Sequence, residues 1–322
     1  MKYAVIGVGG TGGMLGYKLS KAGKDCSLIA RGENLKALSQ TGLTIHRLWD
    51  DTEETVPVHA VSAEEYHETP DVILVCVKYY SIDAILPMVQ RMAGKNTIVL
   101  PILNVYGTGE RIRAALPGVH VLDGCIYVFA QKDGPGRILQ NGQTLRVVFG
   151  ESDGSIGEDL RRIEKDFADA GITPVLTRHI QRKCLEKFSY ISPIGAAGLY
   201  YNANAGDFQR EGEERDTFIA MIREIAALAS AMGYPFEQDY VPINLDFLAH
   251  QDPSVTTSMQ RDVAAGHQSE IEGLVYDVVK RADSFGVEVP MYRKIAEALE
   301  PLSPGAPYRN SEFSCISAHR GD

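Results

Sequence analysis

The first half of the chain alternates short apolar runs with segments of helical periodicity. The apolar runs are four to seven residues long and occupy residues 3–6, 25–30, 71–77 and 96–100. Runs of this length are too short for helices and are typical of strands buried on both faces of a parallel sheet. Helical spacing follows at residues 14–19, 33–40 and 81–92. The alternation predicts a doubly wound α/β domain.

Further strand-like segments extend this domain. Residues 43–47 and 55–61 have the pattern of strands inserted after the second helix. Residues 119–129 and 145–149 are predicted to be later strands of the same sheet, separated by turn residues at 133–136. An amphipathic helix at 156–171 and a short strand at 173–176 complete the predicted domain, which spans residues 1–177.

Beyond residue 177 the pattern of apolar and polar residues changes. From Arg178 the periodicity is almost continuously helical, which predicts a second, helical domain over residues 178–300. Residues 301–322 are rich in Pro, Ser and Gly and are expected to form a flexible tail. The expected fold is therefore α/β, an N-terminal Rossmann-type doubly wound sheet followed by an all-α C-terminal domain.

A glycine-rich turn follows the first predicted strand. Gly7, Gly9 and Gly12 stand in the order G-x-G-x-x-G, directly after the strand and before a helix. Gly7 permits the tight turn, Gly9 allows close approach of a pyrophosphate, and Gly12 allows the helix to pack on the strand. With Gly10, these glycines are the expected cofactor-binding turn, and the alternative is a turn that binds nothing. Its context favours a dinucleotide site at the helix N-terminus.

Arg31 indicates which dinucleotide is bound. Enzymes that prefer NAD usually place an acidic residue at the end of the second strand, where it binds the ribose 2′-hydroxyl. This chain has Arg31 there, and a guanidinium suits a 2′-phosphate. The expected cofactor is NADPH, although a solvated arginine is the alternative and Glu33 lies close by.

Two polar residues follow the later buried strands. Lys78 ends the strand at 71–77, and Asn104 lies just beyond the strand at 96–100. Ligands of open α/β sheets bind outside the carboxyl ends of the strands. We therefore expect Lys78 to meet cofactor or substrate, and Asn104 to bind the substrate or the nicotinamide ribose. A solvated lysine and ordinary turn chemistry at the asparagine are the alternatives.

Lys187 lies in the helix that opens the second domain. At about 100° per residue, Ile180, Cys184, Phe188 and Ile191 form an apolar stripe, and Lys187 lies roughly 20° outside its edge. Either this lysine extends along apolar surface to reach water, or its ammonium is partly desolvated. Desolvation lowers an ammonium pKa toward the range of a general acid.

A second polar pattern follows in the same domain. Residues 258–282 are predicted to form one helix, in which Ser258, Gly266, Glu270 and Gly273 share a polar face about 120° wide. Glycine costs about 1 kcal/mol inside a helix, so two on one face suggest the close approach of another segment or a ligand. A plain exposed acidic face is the alternative.

Composition excludes several classes of function. The net charge is −10 and no basic block occurs, which argues against binding to nucleic acid or to an anionic membrane. The apolar stretches are far shorter than a membrane span, and the first residues run into a strand without a signal-peptide pattern, so a cytoplasmic protein is expected. The five cysteines are widely scattered, so neither a metal site nor a disulfide is expected.

Several of these segments resemble the ketopantoate reductase (2-dehydropantoate 2-reductase) family over roughly residues 1–300. The matching segments are IGVGGTGG at 6–13, Arg31, VCVKYY around Lys78, LNVYG around Asn104, LEKFSYI around Lys187 and TSMQRDVAAGHQSEIEGLV at 257–275. The last segment is the specific one, because it is similar to the family's signature and a generic Rossmann protein lacks it.

The resemblance implies a role for each candidate. Lys187 would be the general acid that protonates the ketone oxygen of a 2-oxo acid, and Glu270 would orient the substrate hydroxyl. Ser258 would help to bind the carboxylate, Asn104 would position the substrate, and Arg31 would bind the 2′-phosphate of NADPH. The resemblance also implies that the helical domain at 178–300 binds the substrate and mediates dimerisation, with a homodimer as the candidate assembly.

The chain departs from the family at two positions. Many members have asparagines one and two helical turns after the catalytic lysine, where this chain has Ile191 and Gly195. A less polar substrate pocket is therefore expected. Three functions remain open at this point: reduction of ketopantoate in a cleft between the two domains, reduction of a more apolar 2-oxo acid, and NADP sensing without turnover.

Overall fold

A computed structural model describes residues 1–300 as two compact units, the first comprising Met1–Gln181 and the second beginning at Arg182. The first unit contains eleven strands: β1 (Lys2–Ile6), β2 (Asp25–Ile29), β3 (Leu43–Arg47), β4 (Thr52–Val56), β5 (His59–Val61), β6 (Val72–Val75), β7 (Ile98–Pro101), β8 (His120–Val121), β9 (Asp123–Lys132), β10 (Arg137–Gly150) and β11 (Thr173–Leu176). Its helices are α1 (Gly10–Lys21), α2 (Gly32–Thr41), α3 (Ile82–Met92), α4 (Thr108–Ala115) and α5 (Glu158–Asp169). The predicted tail at 301–322 lies outside the described residues.

Six of these strands form the predicted parallel sheet. Their order is β5-β2-β1-β6-β7-β8, and every neighbouring pair is parallel. This is the strand order of dinucleotide-binding domains, in which the order reverses beside the first strand. Strands β1 and β6 are almost completely buried, because helices cover both faces of a parallel sheet. The predicted Rossmann-type fold is confirmed.

The prediction that residues 119–129 and 145–149 continue this sheet is right for 120–121 and wrong for the rest. Strands β9 and β10 form an antiparallel hairpin in a second sheet of order β11-β10-β3-β4, with β9 paired to β10. The apolar run at 119–129 serves both sheets, since β8 pairs with β7 while β9 begins two residues later. The segment 55–61 divides in the same way at Pro57, where proline has no backbone N–H to donate to a ladder.

The second unit is helical. Its helices are α6 (Ile180–Tyr201), which starts in the first unit, α7 (Ala205–Gln209), α8 (Glu213–Ala231), α9 (Tyr240–Ala249), α10 (Ser258–Ala264), α11 (Asp277–Phe285) and α12 (Pro290–Leu299). Helix α6 is 22 residues long and contains Pro193. Proline cannot donate to the carbonyl four residues earlier, which is that of Ser189. Asn244 of α9 donates to this carbonyl at 3.1 Å, so the buried oxygen is still paired.

The prediction of one helix over 258–282 is also wrong. Helix α10 ends after Ala264, and Gly266 follows with a φ of +70°. The N–H of His267 donates to the carbonyl of Asp262 at 2.8 Å, and that of Gly266 to Val263 at 3.0 Å. These two bonds define a Schellman motif, which glycine favours because it needs a left-handed residue. Gly266 is therefore a helix terminator, whereas its spacing suggested the close approach of another segment or a ligand; a Cβ there would meet nothing within 4 Å.

A π-helical turn follows the break, at Glu272–Tyr276. Ser192 of α6 donates from Oγ to the carbonyl of Leu274 in this turn at 2.6 Å. The hydroxyl of Tyr292, in α12, pairs with the same Oγ at 2.5 Å, and both side chains are fully buried. One serine thus joins α6, the π turn and α12.

We expect Ser192→Ala to lower the free energy of unfolding by about 1–3 kcal/mol, because it leaves a buried carbonyl and a buried phenol without partners. Urea titration followed by circular dichroism measures this change. Ser284→Ala is the matched control, since the exposed Ser284 bonds only within its own helix at 2.9 Å and should change stability by less than about 0.5 kcal/mol. Equal effects of the two variants would contradict the role of Ser192.

Candidate active site

The glycine-rich turn joins β1 to α1 at the carboxyl edge of the parallel sheet. Gly7 has a φ of +94°, and a Cβ there would lie 2.9 Å from the backbone of Cys76. A Cβ on Gly12 would lie 2.0 Å from the carbonyl oxygen of Gly7. At Gly9, by contrast, a Cβ would meet nothing within 4 Å. The protein itself thus requires Gly7 and Gly12, whereas Gly9 borders open space of the kind that a pyrophosphate needs.

Gly10 has a different neighbour, which the sequence did not indicate. A Cβ on Gly10 would lie 2.2 Å from the carbonyl oxygen of Ala130, in β9. The second sheet therefore packs directly on the first turn of α1. Asn34 of α2 reinforces this packing, because its amide donates to the carbonyl of Val8 at 3.4 Å and accepts from the N–H of Gly136 at 2.9 Å.

Arg31 lies at the N-cap of α2, two residues after β2, and is exposed. Within residues 1–300 its side chain makes no hydrogen bond or ion pair, and it is not paired with the nearby Glu33, which is also exposed. Its guanidinium is therefore available to an anion at the end of β2, where the 2′-substituent of a bound dinucleotide lies.

Lys78 and Asn104 lie at the same edge of the sheet as the glycine turn. Lys78 follows β6 and precedes a 3₁₀ turn at Tyr79–Ser81, and Asn104 follows β7. Both residues are half-buried, whereas Leu103 and Val105 on either side of Asn104 are buried. Because β1, β6 and β7 are adjacent and parallel, the first unit brings the glycine turn, Lys78 and Asn104 to one edge.

A partly buried polar network starts two residues after Asn104. The Tyr106 hydroxyl donates to Oε1 of Gln181 at 2.8 Å, and Nε2 of Gln181 donates to Asp123 at 2.7 Å. Arg113 pairs with the same Asp123 oxygen at 2.9 Å. Burial raises the pKa of Asp123, and Arg113 and Gln181 oppose that rise. The network joins the loop after Asn104 to Gln181, and no pattern in the sequence indicates it.

The remaining candidates lie in the helical unit. Lys187 in α6 is only 6% exposed and Glu270 only 4%. The low exposure of Lys187 favours the partly desolvated interpretation over the one in which its ammonium reaches bulk water. Its neighbour Glu186 is also buried and pairs with Lys183, with Nζ to Oε2 at 2.7 Å.

Ser258 and Glu270 lie in segments that are each attached to α6. Ser258 is half-buried at the first position of α10, and Gln260 in that helix donates to the carbonyl of Gly198 in α6 at 3.0 Å. Glu270 lies just before the π turn that Ser192 joins to α6. The helical unit therefore attaches both segments to the helix that contains Lys187.

Neither a metal-binding group of side chains nor a membrane-spanning helix is found in the described residues, 1–300. In this part of the chain no group of three or more His, Cys, Asp and Glu residues could hold a metal ion. None of the helices in residues 1–300 is long and apolar enough to cross a membrane.

Comparison with known proteins identifies the family of the chain. Two family descriptions match, "Ketopantoate reductase PanE/ApbA" over residues 3–154 and "Ketopantoate reductase PanE/ApbA C terminal" over residues 179–303. The chain is 28% identical over 306 residues to a 2-dehydropantoate 2-reductase of a Nostoc species, covering 94% of this chain and 95% of that protein. It is 25% identical over 300 residues to the uncharacterized oxidoreductase YkpB of Bacillus subtilis, covering 93% and 98%.

Among solved structures, the 2-dehydropantoate 2-reductase of Porphyromonas gingivalis is 28% identical, with a TM-score of 0.79 and coverage of 93% of this chain and 99% of that one. The two family matches together span most of the chain. The protein therefore belongs to the ketopantoate reductase family of NADP-dependent oxidoreductases that act on CH–OH groups.

Proposed function

We propose that this protein reduces the 2-oxo acid ketopantoate to pantoate with NADPH. The observation that carries the proposal is the burial of Lys187, which is 6% exposed and lies in the same helical unit as Ser258 and Glu270. A nucleotide sensor would need neither a buried acid nor a carboxylate-binding group. Membership of an oxidoreductase family also favours the enzyme.

The cofactor would be held by the first unit. Backbone N–H groups at the start of α1, beside the open side of Gly9, would bind the pyrophosphate, and Arg31 would bind the 2′-phosphate. Lys78 and Asn104 lie at the same sheet edge and would contact the phosphates and the nicotinamide ribose. When bound, the nicotinamide supplies the hydride that reduces the ketone carbon.

The chemical step that this chain supplies is proton transfer. Hydride addition to the ketone carbon leaves negative charge on the ketone oxygen, and the Lys187 ammonium would donate a proton to that oxygen. Ser258 would hold the substrate carboxylate, Glu270 would accept a hydrogen bond from the substrate hydroxyl, and Asn104 would orient the substrate. Because Lys187 is buried, bulk water has little access to its ammonium group.

The departure from the family at Gly195 supports a less polar pocket. A Cβ on Gly195 would lie 3.3 Å from Cε of Met259, so a thioether methyl group lies where a longer polar side chain would otherwise extend. Ile191, one turn earlier, is apolar and half-buried. This observation favours a second candidate function, reduction of a 2-oxo acid more apolar than ketopantoate.

The cellular setting is part of the same proposal. Pantoate formation would place the protein in pantothenate biosynthesis in the cytoplasm, and widely spaced cysteines without a pairing motif agree with a reducing compartment. A homodimer is the proposed assembly, since a ketopantoate reductase of Staphylococcus aureus is described as dimeric.

The proposed role of Arg31 predicts a coenzyme preference. Charge-assisted bonds to the 2′-phosphate should make NADPH bind about 10- to 150-fold tighter than NADH, and Arg31→Ala should remove this advantage. Fluorescence titration of both coenzymes measures it. Lys36→Ala removes an exposed positive charge from the same helix and serves as the control. Equal dissociation constants for the two coenzymes in the unchanged protein would refute the assignment.

Removal of Lys187 should stop turnover without preventing cofactor binding. Loss of a positioned general acid typically lowers the rate by about 10²–10⁴-fold, so Lys187→Ala should lower kcat by that factor with an unchanged Kd for NADPH. Lys294→Ala, at an exposed lysine of the same unit, should keep normal kcat. Near-normal turnover of Lys187→Ala would make Lys78 the next candidate acid.

The less polar pocket predicts weak discrimination for the substrate hydroxyl. Two missing amide side chains forgo hydrogen bonds of about 0.5–1.5 kcal/mol each. The ratio of kcat/KM for ketopantoate over 2-oxoisovalerate should therefore exceed one but stay below the roughly 10⁴-fold of a dedicated hydroxyl site. A higher ratio would contradict the apolar pocket. A ratio below one would identify a reductase of another 2-oxo acid.

A further inference from the structure

The side-chain amide of Gln260, in α10, makes four hydrogen bonds within the helical unit. Its Nε2 donates to the carbonyl oxygens of Gly198 at 3.0 Å and Ala203 at 2.7 Å. Its Oε1 accepts from the N–H of Thr257 at 2.9 Å and from the Thr257 hydroxyl at 3.0 Å. A primary amide has two donor hydrogens and two acceptor lone pairs. The Gln260 amide therefore uses its full capacity inside the protein.

One carbonyl, that of Gly198, lies in the last turn of α6, and the other, that of Ala203, lies two residues beyond its end. This helix ends in a Schellman motif, with Asn202 at a φ of +49° and the N–H of Ala203 bonded to the carbonyl of Gly198 at 2.9 Å. Gln260 thus adds a second donor to a carbonyl that is already paired, and satisfies the carbonyl of Ala203 in the turn that follows. One side chain joins α10 to the end of the helix that contains Lys187.

The two helices approach closely because α6 has glycine where they meet. A Cβ on Gly198 would lie 2.8 Å from Oε1 of Gln260 and 3.0 Å from its Cδ. One turn earlier, Gly195 lies against Met259. A larger residue at Gly198 would displace the amide of Gln260 and thereby weaken the attachment of α10 to α6.

Helix α10 has few other means of holding its position. It is only seven residues long, and helices of this length are not stable by themselves. Its buried side chains are Met259 and Val263, and Gly266 ends its periodicity. Thr257 and Gln260 form a capping box around its first turn, which is the turn that presents Ser258.

We propose that Gln260 is a positioning residue that fixes Ser258 against α6 and thereby sets the affinity for the carboxylate of the 2-oxo acid. This inference rests on the proposed function, in which Ser258 binds that carboxylate. Gln260 acts through the position of α10, since its own amide is fully occupied by Gly198, Ala203 and Thr257.

Gln260→Leu keeps the side-chain volume and removes all four bonds. We expect the KM for ketopantoate to rise about tenfold, the equivalent of one or two hydrogen bonds, while kcat stays within about threefold and the Kd for NADPH is unchanged. Gly198→Ala leaves Gln260 in the sequence but pushes its amide away from α6, so it should raise KM in the same way. In the double variant the two effects should not add, because both act on one contact. If Gln260→Leu fails to fold, Gly198→Ala provides the test.

Gln209→Leu is the matched control. The Gln209 amide, in α7, also donates to two backbone carbonyls, those of Leu248 at 2.9 Å and Gln251 at 2.8 Å, but neither belongs to α10 or α6. This variant should lower the melting temperature and leave KM unchanged. Should Gln260→Leu behave like Gln209→Leu, with lower stability and an unchanged KM, the positioning role is overturned.

Ser258→Ala, measured in parallel, separates this inference from the proposed function. If Ser258→Ala raises KM and Gln260→Leu does not, the positioning role is wrong and the carboxylate role of Ser258 stands. If Ser258→Ala leaves KM unchanged, the carboxylate role is wrong and the inference fails with it. The positioning role is supported if Ser258→Ala and Gln260→Leu each raise KM and the variant that combines these two substitutions has no higher KM than Ser258→Ala alone.

Discussion

The helical unit depends on one constraint, that every carbonyl oxygen around the buried helix α6 must have a hydrogen-bond donor. Pro193 leaves the carbonyl of Ser189 without its helical donor, and Asn244 of α9 supplies one. Ser192 bonds the carbonyl of Leu274 in the π turn, and Gln260 bonds those at the end of α6. Each of these polar bonds fixes one neighbouring element against α6. The position of the elements that contain the candidate residues therefore follows from backbone pairing as much as from apolar packing.

In the first unit, close backbone packing has the equivalent effect. The turn between β1 and α1 is enclosed by Cys76 on one side and by Ala130 of the second sheet on another, so that Gly7 and Gly10 have no room for side chains. The open direction is at Gly9. The turn is thus held in one conformation by the protein itself, and a site that is already formed reduces the ordering cost of binding a ligand.

The sequence predicted those features that depend on local pattern. The central strands β1, β2, β6 and β7 and helices α1, α2 and α3 are predictable, because short apolar runs alternate there with helical spacing, whereas helix α4 is not among the predicted helices. The second sheet was missed because an apolar run indicates burial and does not identify the pairing strand. Gly266 was misread because its spacing fits a continuous helix, although glycine is also a helix-stop signal. Gln260 was missed altogether, and the T-x-x-Q capping box at Thr257 was the available clue.

The second sheet has a consequence for how the chain folds during synthesis. Thr44 of β3 pairs with Arg137 of β10, so the β3–β4 hairpin leaves the ribosome long before its partner strand exists. At about 5–20 residues per second the delay is roughly five to twenty seconds, and a lone two-stranded hairpin is only marginally stable. The outer strand β4 contains Glu53 and Glu54, and charged residues on an edge strand oppose pairing with other chains. When β10 emerges, Arg137 pairs with Glu53, so a residue that protects the nascent hairpin also bonds to its late partner.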